Sequence, residues 1–310
     1  GTRYYYRIRS GGIDLTPLDP AAFTTATTGN AFTFVVLGDS RDGSPAAAAI
    51  ANQMAAWPFD LWLHTGDLVT SGLAAEYDPQ VFAIYRRLLA AVPFFSAIGN
   101  HEYLGDGPAA YLNNFYLPQN GPAGLLGRAY SFDWANAHFT VFDSGAGFTP
   151  GSAQYNWLQS DLAATRQPWK FVVDHHPPYS SGSHGSDFAV RDTLGPLFER
   201  YGVDVMFSGH DHDYERTFPM AGGQIAGAGQ RGVTYVVTGG GGAPLYPVGR
   251  SAFTALSVST NHFTRSVVAG CQLVMQSIGA NGQILDLFEI DKCAAATTLP
   301  RHLFLPAVRR

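Results

Sequence analysis

From residue 32 onward, apolar and polar positions alternate between two kinds of spacing. Short runs rich in β-branched and aromatic residues predict buried strands, and the longer Ala- and Leu-rich segments between them predict helices. The predicted strands cover 31–39, 59–67, 92–102, 169–178, 203–212, 232–242, 263–277 and 283–290. The predicted helices cover 45–56, 74–91, 151–165 and 188–201. This order predicts an α/β fold with much parallel sheet.

Local signals sharpen several of these elements. Ser44 before Pro45 is an N-cap followed by a proline at the first helical position, and Ser152 caps a later helix. Asn136 lies near the turn of a predicted hairpin over 129–144, and Asn281-Gly282 predicts the turn between the last two strands. These signals fix where the elements begin, end or reverse.

Residues 1–29 follow a different pattern. RYYYRIRSGG is a β-rich run closed by a Gly-Gly turn, and AAFTTATTG is a second, weaker run. Two strands do not make an independent domain. We therefore expect either the last strands of a β-sandwich or strands that lean on a main body over 30–295, with a C-terminal tail at 296–310.

Polar side chains follow five of the predicted strands at the point where each strand ends. They are Asp39, Asp67, Asn100, His175 and His210. The carboxyl ends of strands in an α/β sheet share one edge, where ligands bind. Any one of these residues alone is more often part of an ordinary turn, but five in succession predict one functional site.

With His212, this set holds two carboxylates, one amide and three imidazoles, and no thiolate. Mixed oxygen and nitrogen donors suit zinc, iron or manganese. Six donors exceed the three or so protein ligands of a single catalytic metal, but they suit two metals that share a carboxylate, an arrangement used for in-line displacement at phosphorus. The pattern predicts a two-metal hydrolytic site.

Composition narrows the alternatives. Net charge is −5 and the chain has no run of Lys or Arg, which argues against nucleic acid as a stable partner and against a membrane surface. No apolar stretch is long enough to span a bilayer. Cys271 and Cys293 could form one disulfide or be two inert thiols, and export would favour the bond.

Five motifs carry a resemblance to a known family. They are GDSR (38–41), GDLVT (66–70), GNHE (99–102), HHPPYSSGSH (175–184) and GHDHDYERT (209–217). In order and spacing they resemble the calcineurin-like metallophosphoesterases, and most of all the purple acid phosphatase branch. The resemblance covers residues 32 to about 291. The first 29 residues also resemble the last strands of the fibronectin-like domain that precedes the catalytic domain in that branch.

The resemblance implies a four-layer α/β/β/α sandwich and assigns the predicted ligands to two metals. Asp39, Asp67 and His212 would hold metal one. Metal two would be held by Asp67, Asn100, His175 and His210, with Asp67 bridging and His175 chosen over His176 as the ligand. His101 would stand near the leaving group, oriented by Glu102 unless Glu102 faces solvent, and His184 would reach the substrate phosphate.

The implied function is a metallophosphatase with two divalent or trivalent ions of iron, zinc or manganese. A metal-activated hydroxide would attack a small phosphate monoester in line. A phosphodiesterase or nucleotide hydrolase with the same site is an alternative, and so is a metal-binding relative without catalysis. We expect a secreted or extracytoplasmic protein whose signal peptide has been removed; its oligomeric state is left open.

Two positions depart from the family. Thr70 stands where purple acid phosphatases have the tyrosine that gives the colour, so we expect a colourless protein. Arg41 stands where other members have a metal-binding histidine, and a guanidinium has no lone pair to offer. Arg41 would either clamp a substrate phosphate or form an ion pair with Asp42 or another acid at the rim.

Overall fold

The computed structural model describes residues 1–16 and 20–293. In the N-terminal segment the strands are β1 (Arg3–Tyr6), β2 (Arg9–Ser10), β3 (Ile13–Asp14) and β4 (Ala21–Thr24). The next strands are β5 (Ala31–Leu37), β6 (Leu61–His64), β7 (Phe94–Ser96), β8 (Tyr130–Trp134), β9 (Ala137–Val141), β10 (Trp169–Val173) and β11 (Val205–Ser208). The remaining strands are β12 (Tyr214–Thr217), β13 (Met220–Ala221), β14 (Gln224–Ile225), β15 (Thr234–Thr238), β16 (Thr254–Val258), β17 (His262–Ala269), β18 (Gln272–Gly279) and β19 (Ile284–Asp291).

Two mixed sheets form the body. One has six strands in the order β19-β18-β17-β5-β6-β7, and the other has seven in the order β16-β12-β15-β11-β10-β9-β8. Parallel pairing is confined to β5-β6-β7 in the first sheet and to β9-β10-β11-β15 in the second. The expected parallel sheet is therefore present, but antiparallel strands flank it in both sheets.

The sheets face each other across an aromatic core. The Phe34 ring of β5 lies 5.3 Å from that of Phe139, 4.9 Å from that of Phe171 and 5.9 Å from that of Phe207, all in the second sheet. Rings of this size bury much apolar area and stabilise the sandwich through it. Because the two sheets are packed face to face, strand ends from both can meet at one edge.

Five α-helices are described: α1 (Pro45–Ala55), α2 (Ala83–Leu89), α3 (Pro108–Asn114), α4 (Ala153–Ala164) and α5 (Phe188–Tyr201). On the six-stranded sheet, the Tyr85 ring of α2 lies 4.9 Å from that of Trp62 in β6. On the other sheet, Leu158 of α4 and Leu194 of α5 share a core cluster with Val172 of β10. The layer order α/β/β/α is thus confirmed.

Several local predictions are confirmed, and others are wrong in detail. Ser44 and Ser152 accept hydrogen bonds from Ala47 N and Tyr155 N, as N-caps do. The helix predicted over 74–91 is instead a 3₁₀ turn, a π-helical turn at Asp78–Phe82 and α2. The strand predicted over 263–277 is two strands, because the chain reverses at Gly270, whose φ is 60°.

A disulfide and an N-terminal strand pair lie outside the two main sheets. Cys271 and Cys293 are bonded, which ties the start of β18 to the residues after β19. In the N-terminal segment β1 pairs with β4, and the Tyr6 hydroxyl donates to Ala90 O of the body at 2.7 Å. The fibronectin-like assignment of this segment and its boundary remain predictions, and the tail at 296–310 lies outside the described residues. No described helix is long and apolar enough to cross a membrane.

Candidate metal centre

The six predicted ligands come from both sheets. Asp39, Asp67 and Asn100 follow β5, β6 and β7 of the six-stranded sheet, while His175 follows β10, and His210 and His212 follow β11 of the other. Hydrogen-bonding distances link these groups across the edge where the two sheets meet. The five strand ends therefore converge, but they do so at the shared edge of two sheets rather than along one.

Asp39 and His212 form one end of the cluster. Asp39 is fully buried, and among the described residues its Oδ1 has no hydrogen-bond partner. His212 Nδ1 lies 2.6 Å from Pro244 O; a carbonyl only accepts, so Nδ1 carries a proton. His212 Nε2 is thus turned toward Asp39 Oδ1, 3.5 Å away.

The pKa shifts of this pair follow from burial and from its mutual contact. Burial raises the pKa of the Asp39 carboxyl to about 7, although the nearby His212 imidazole opposes the rise. Burial lowers the pKa of His212, but the close contact with the Asp39 carboxyl and its charge raise it more, so the net pKa is raised. Such a pair holds a proton when no metal is bound, and its atoms can hold a metal instead.

His175, Asn100 and Asp67 form the other end. His175 Nδ1 donates to Thr65 O at 2.9 Å, so its Nε2 presents a lone pair. That Nε2 lies 2.9 Å from Asn100 Oδ1 and 3.4 Å from Asp67 Oδ1. Burial lowers the pKa of His175 well below its usual range, so the imidazole is neutral. A lone pair and two oxygens facing one another make a cation site.

Three further imidazoles crowd the same end. His210 Nδ1 lies 3.1 Å from Asn100 Oδ1, and burial lowers the pKa of His210 to about 2. The ring of His184 is 4.1 Å from that of His210, and its Nδ1 is 3.2 Å from Asp211 Oδ1. His176 can present a ligand atom within 4.8 Å of those of His175 and His210, and its Nδ1 contacts Ser144 Oγ at 2.8 Å. The choice of His175 over His176 remains a prediction.

Backbone conformation sets three of the predicted ligands apart. Asp39, Asp67 and His210 have φ values of 57°, 58° and 69°, in the left-handed region. Side chains other than glycine seldom adopt this conformation, and it collects at functional sites. The fold holds these three residues in strained turns that aim their side chains at the cluster.

Two glycines make room for these turns. A Cβ at Gly99 would strike the Asp67 side chain and backbone, so glycine is needed for Asp67 to approach. Gly38 comes directly after β5, and a Cβ there would collide with Thr65 Oγ1.

Glu102 anchors the turn that carries Asp67. Its carboxylate is fully buried, so the solvent-facing alternative is wrong. It accepts four backbone N–H groups, from Asp67 at 3.0 Å, Leu68 at 2.7 Å, Val69 at 3.2 Å and Gly99 at 2.7 Å. Glu102 therefore shapes the loop of Asp67, and no hydrogen bond joins its carboxylate to the ring of His101 among the described contacts.

His101 lies beside Asp67. Its backbone N donates to Asp67 Oδ1 at 3.0 Å, and its Nδ1 donates to Thr70 O. Its Nε2 is 3.6 Å from Asp67 Oδ2, and the side chain is 22% exposed. The His101 side chain is thus partly exposed at the edge of the cluster.

Arg41 and Thr70 occupy the positions that depart from the family. Arg41 Nη1 lies 3.6 Å from Asp42 Oδ1, and its Nε lies 3.9 Å from Asp67 Oδ2. Thr70 Oγ1 donates to Asp42 Oδ1 at 2.6 Å. The ion pair with Asp42 is therefore present, while the phosphate clamp remains a prediction.

Two residues outside the predicted set also contact the cluster. His64 is fully buried; its Nδ1 accepts from Gly66 N at 3.1 Å and its Nε2 contacts Ser40 Oγ at 2.9 Å, so it links the loops of Asp39 and Asp67. The Tyr246 ring stacks on that of His212 at 4.1 Å. For His64, the only signal in the sequence is its position three residues before Asp67. For Tyr246, the sequence gives no signal beyond its place in a loop.

The donor set fits a metal site. Asp39, Asp67 and His175 can present ligand atoms within 4.8 Å of one another, and a second such group is His175, His176 and His210. The unpartnered Asp39 oxygen and the free lone pair of His175 also favour a metal site. Oxygen and imidazole donors without thiolate suit zinc, iron or manganese.

Comparison with known proteins gives the family. The sequence model described as calcineurin-like phosphoesterase matches residues 32–214, which hold every predicted ligand. The chain belongs to this family. The motif resemblance in the sequence is thereby confirmed.

Individual relatives are also phosphoesterases by name. The chain is 29% identical over 253 residues to purple acid phosphatase 21 of Arabidopsis thaliana, covering 78% of this chain and 55% of that protein. It is 28% identical over 219 residues to a nucleotide pyrophosphatase/phosphodiesterase of Hordeum vulgare, covering 60% of this chain and 58% of that protein. The chain thus spans about half the length of these curated relatives.

A solved structure shares the fold. The purple acid phosphatase PPD1 from yellow lupin (Lupinus luteus) seeds superposes with a TM-score of 0.78 at 20% identity, over 91% of this chain and 60% of that one. At that identity the match establishes the metallophosphoesterase fold.

Proposed function

We propose that this chain is a metal-dependent phosphatase that hydrolyses phosphate monoesters at a two-metal site. The observation that supports it is the convergence of buried donors. His175 Nε2 lies 2.9 Å from Asn100 Oδ1, and the buried Asp39 Oδ1 has no hydrogen-bond partner among the described residues. Membership of the calcineurin-like phosphoesterase family supports hydrolysis of phosphate esters.

Asp67 divides the proposed ligands into two sides. The metal-one side consists of Asp39, Asp67 and His212, and the metal-two side consists of Asp67, Asn100, His175 and His210. Asp67 can serve both, since its Oδ1 is 3.4 Å from His175 Nε2 and it can present a ligand atom within 4.8 Å of one from Asp39. Iron, zinc or manganese would suit these donors.

Bound metal ions would lower the pKa of water and offset the charge of the phosphoryl oxygens. The chain's own residues would do the rest. His101 Nδ1 is fixed as a donor to Thr70 O, which orients its Nε2 to give a proton to, or hold, the leaving-group oxygen. His184, 42% exposed at the rim, would donate to a phosphate oxygen, and Arg41 would add positive charge beside it.

The second candidate is hydrolysis of phosphodiesters or nucleotides with the same ligands. Similarity to the Hordeum vulgare nucleotide pyrophosphatase/phosphodiesterase favours it. We also propose that the protein works outside the cytoplasm, which the Cys271–Cys293 disulfide supports.

One assay separates these functions. The purified chain would be tested against para-nitrophenyl phosphate, its bis-ester and several nucleotides, each with added zinc, manganese, iron or no metal. Turnover mainly of the monoester with added metal is expected. Preference for the bis-ester would support the second candidate, and no turnover with any metal would contradict both and favour a non-catalytic relative.

A further inference from the structure

Arg41 is a fixed cation beside Asp67, the carboxylate proposed to serve both metals, and its charge also opposes protonation of His212 on the metal-one side. Its side chain is 13% exposed, and its Nε is buried without an acceptor among the described residues. The guanidinium contacts Asp42 Oδ1 at 3.6 Å through Nη1 and approaches Asp67 Oδ2 to 3.9 Å through Nε. Among the described residues, it is the one Arg or Lys that forms an ion pair with a proposed ligand.

The residues behind Arg41 hold it there. Asp42 accepts the Thr70 hydroxyl at 2.6 Å, and its backbone N donates to Gln80 Oε1 at 3.2 Å. Gln80 Oε1 also accepts Thr70 N at 2.9 Å. Thr70 thus uses its hydroxyl to position Asp42, which in turn positions Arg41. The two departures from the family form one connected device.

The fixed charge of Arg41 makes the two sets of proposed ligands electrostatically unequal. Apart from the shared Asp67, the metal-two side gathers an amide oxygen and imidazoles, with no guanidinium or ammonium paired to them in the described part of the chain. The metal-one side offers three proposed ligands beside a permanent positive charge. Two positive charges a few ångströms apart repel strongly even at the effective dielectric of a protein site.

We infer that Arg41 makes the metal-one side a weak, exchangeable site, so that the chain holds one metal firmly and takes a second only in excess. This inference rests on the proposed function for its ligand assignment. Removal of the Arg41 charge is expected to tighten binding of the second metal at least about tenfold.

Metal content after removal of free ions tests this directly. The full chain would be loaded with excess Mn²⁺ or Zn²⁺, passed through gel filtration and analysed by mass spectrometry of the eluted metal. Wild type is expected to retain about one ion per chain and Arg41→Gln about two, while Arg41→Lys keeps the charge and retains about one. Titration calorimetry with Mn²⁺ would report the affinity of the second ion.

Arg128→Gln is the matched control. Arg128 is similarly buried, at 16% exposure, and pairs with Asp143 at 3.4 Å without contacting a proposed ligand. It should retain as much metal as wild type. Thr70→Val, which frees Asp42, should lie between wild type and Arg41→Gln.

The inference is overturned if wild type retains two ions or none, or if Arg41→Gln, shown to be folded by circular dichroism, retains no more than wild type. Hydrolysis of para-nitrophenyl phosphate in excess metal is measured separately. Turnover with equal metal content in both proteins would refute the inference and leave the proposed function standing. Unequal metal content without turnover would support the inference and contradict the proposed function.

Discussion

Asp39 and Asp204 are both buried carboxylates at strand ends, but at opposite edges of the sandwich. Asp204 precedes β11 and accepts Lys292 Nζ at 2.6 Å, Arg231 Nη2 at 2.9 Å and Lys170 N at 2.9 Å. Asp39 follows β5, and its Oδ1 has no hydrogen-bond partner among the described residues. The protein neutralises Asp204 with its own cations, whereas one oxygen of Asp39 is left without a partner among the described residues.

The comparison shows that neither burial nor cavity size marks the functional edge. A cavity of about 1200 Å³ lies at the Asp204 edge, lined by Trp169, Arg216 and Lys292 among others. Asp204, one of the carboxylates that line it, already has hydrogen-bond partners for both of its oxygens. An unsatisfied buried donor set is the more informative sign.

The largest effect is expected at Asp67. Asp67→Asn removes a charge that both sides share, so the chain should lose metal on gel filtration and lose at least about 100-fold in kcat/KM. Elemental analysis and a phosphatase assay check this. Undiminished metal content with full activity would contradict the assignment of Asp67.

Asp204→Ala is expected to give the opposite result. The substitution leaves Lys292 and Arg231 without their carboxylate partner. Lys292 is 20% exposed, whereas Arg231 is 60% exposed and so contributes less to stability. The free energy of unfolding in urea should fall by about 2–4 kcal/mol. Metal content and metal affinity should match wild type, and loss of metal from the folded variant would break the contrast between the two edges.

Glu102→Gln is expected to affect both stability and metal binding. An amide has one oxygen in place of two, so some of the four N–H groups around Asp67 lose their acceptor. We expect a loss of about 1–3 kcal/mol in unfolding free energy, and metal affinity about 10-fold lower or more.

Glu76→Gln is the matched control, because Glu76 accepts Ser71 N at 2.8 Å and Leu73 N at 3.3 Å away from the proposed ligands. Calorimetric metal titration of both variants separates the roles. Equal metal affinity in the two would show that Glu102 only supports the fold.

The smallest effect concerns His138, whose two nitrogens contact Asp133 Oδ1 at 2.6 Å and Asp161 Oδ2 at 2.9 Å. Burial lowers the pKa of His138, but the two carboxylates raise it more, so the net pKa is raised. A raised pKa in the folded state adds stability below the usual value of about 6.5, and that stability is lost as pH rises through the folded pKa.

Unfolding of wild type and His138→Gln in urea at several pH values tests this. The wild-type advantage should be full in mildly acidic buffer and shrink toward alkaline pH. An advantage that grows with pH would contradict the role of His138 as a protonated link between the two acids.

Much of the site could be predicted from the sequence because its parts are local. Asp39, Asp67, Asn100, His175 and His210 each end a strand, and an apolar run shows where the strand ends. That these ends belong to two sheets could not be read from periodicity alone, since strand order depends on long-range packing. It entered only through resemblance.

The contacts that support the ligands could not be predicted from the sequence either, because they also depend on long-range packing. Glu102 binds N–H groups 33 to 35 residues earlier in the chain, at Asp67, Leu68 and Val69. Arg41 is held through Asp42 by Thr70, 28 residues away from Asp42. A linear pattern reports residue types, but the partners of a buried side chain depend on which loops the fold brings together.

The left-handed turns at Asp39, Asp67 and His210 carry a consequence for how the protein can change. Each such residue costs about 1–2 kcal/mol relative to glycine, which adopts this conformation freely. Glycine at any of the three would relieve that cost and remove the side chain crowded into the cluster. Selection for an unstrained backbone alone would therefore favour glycine at this edge, so a lineage that keeps the proposed site has to reject substitutions that would relieve the strain.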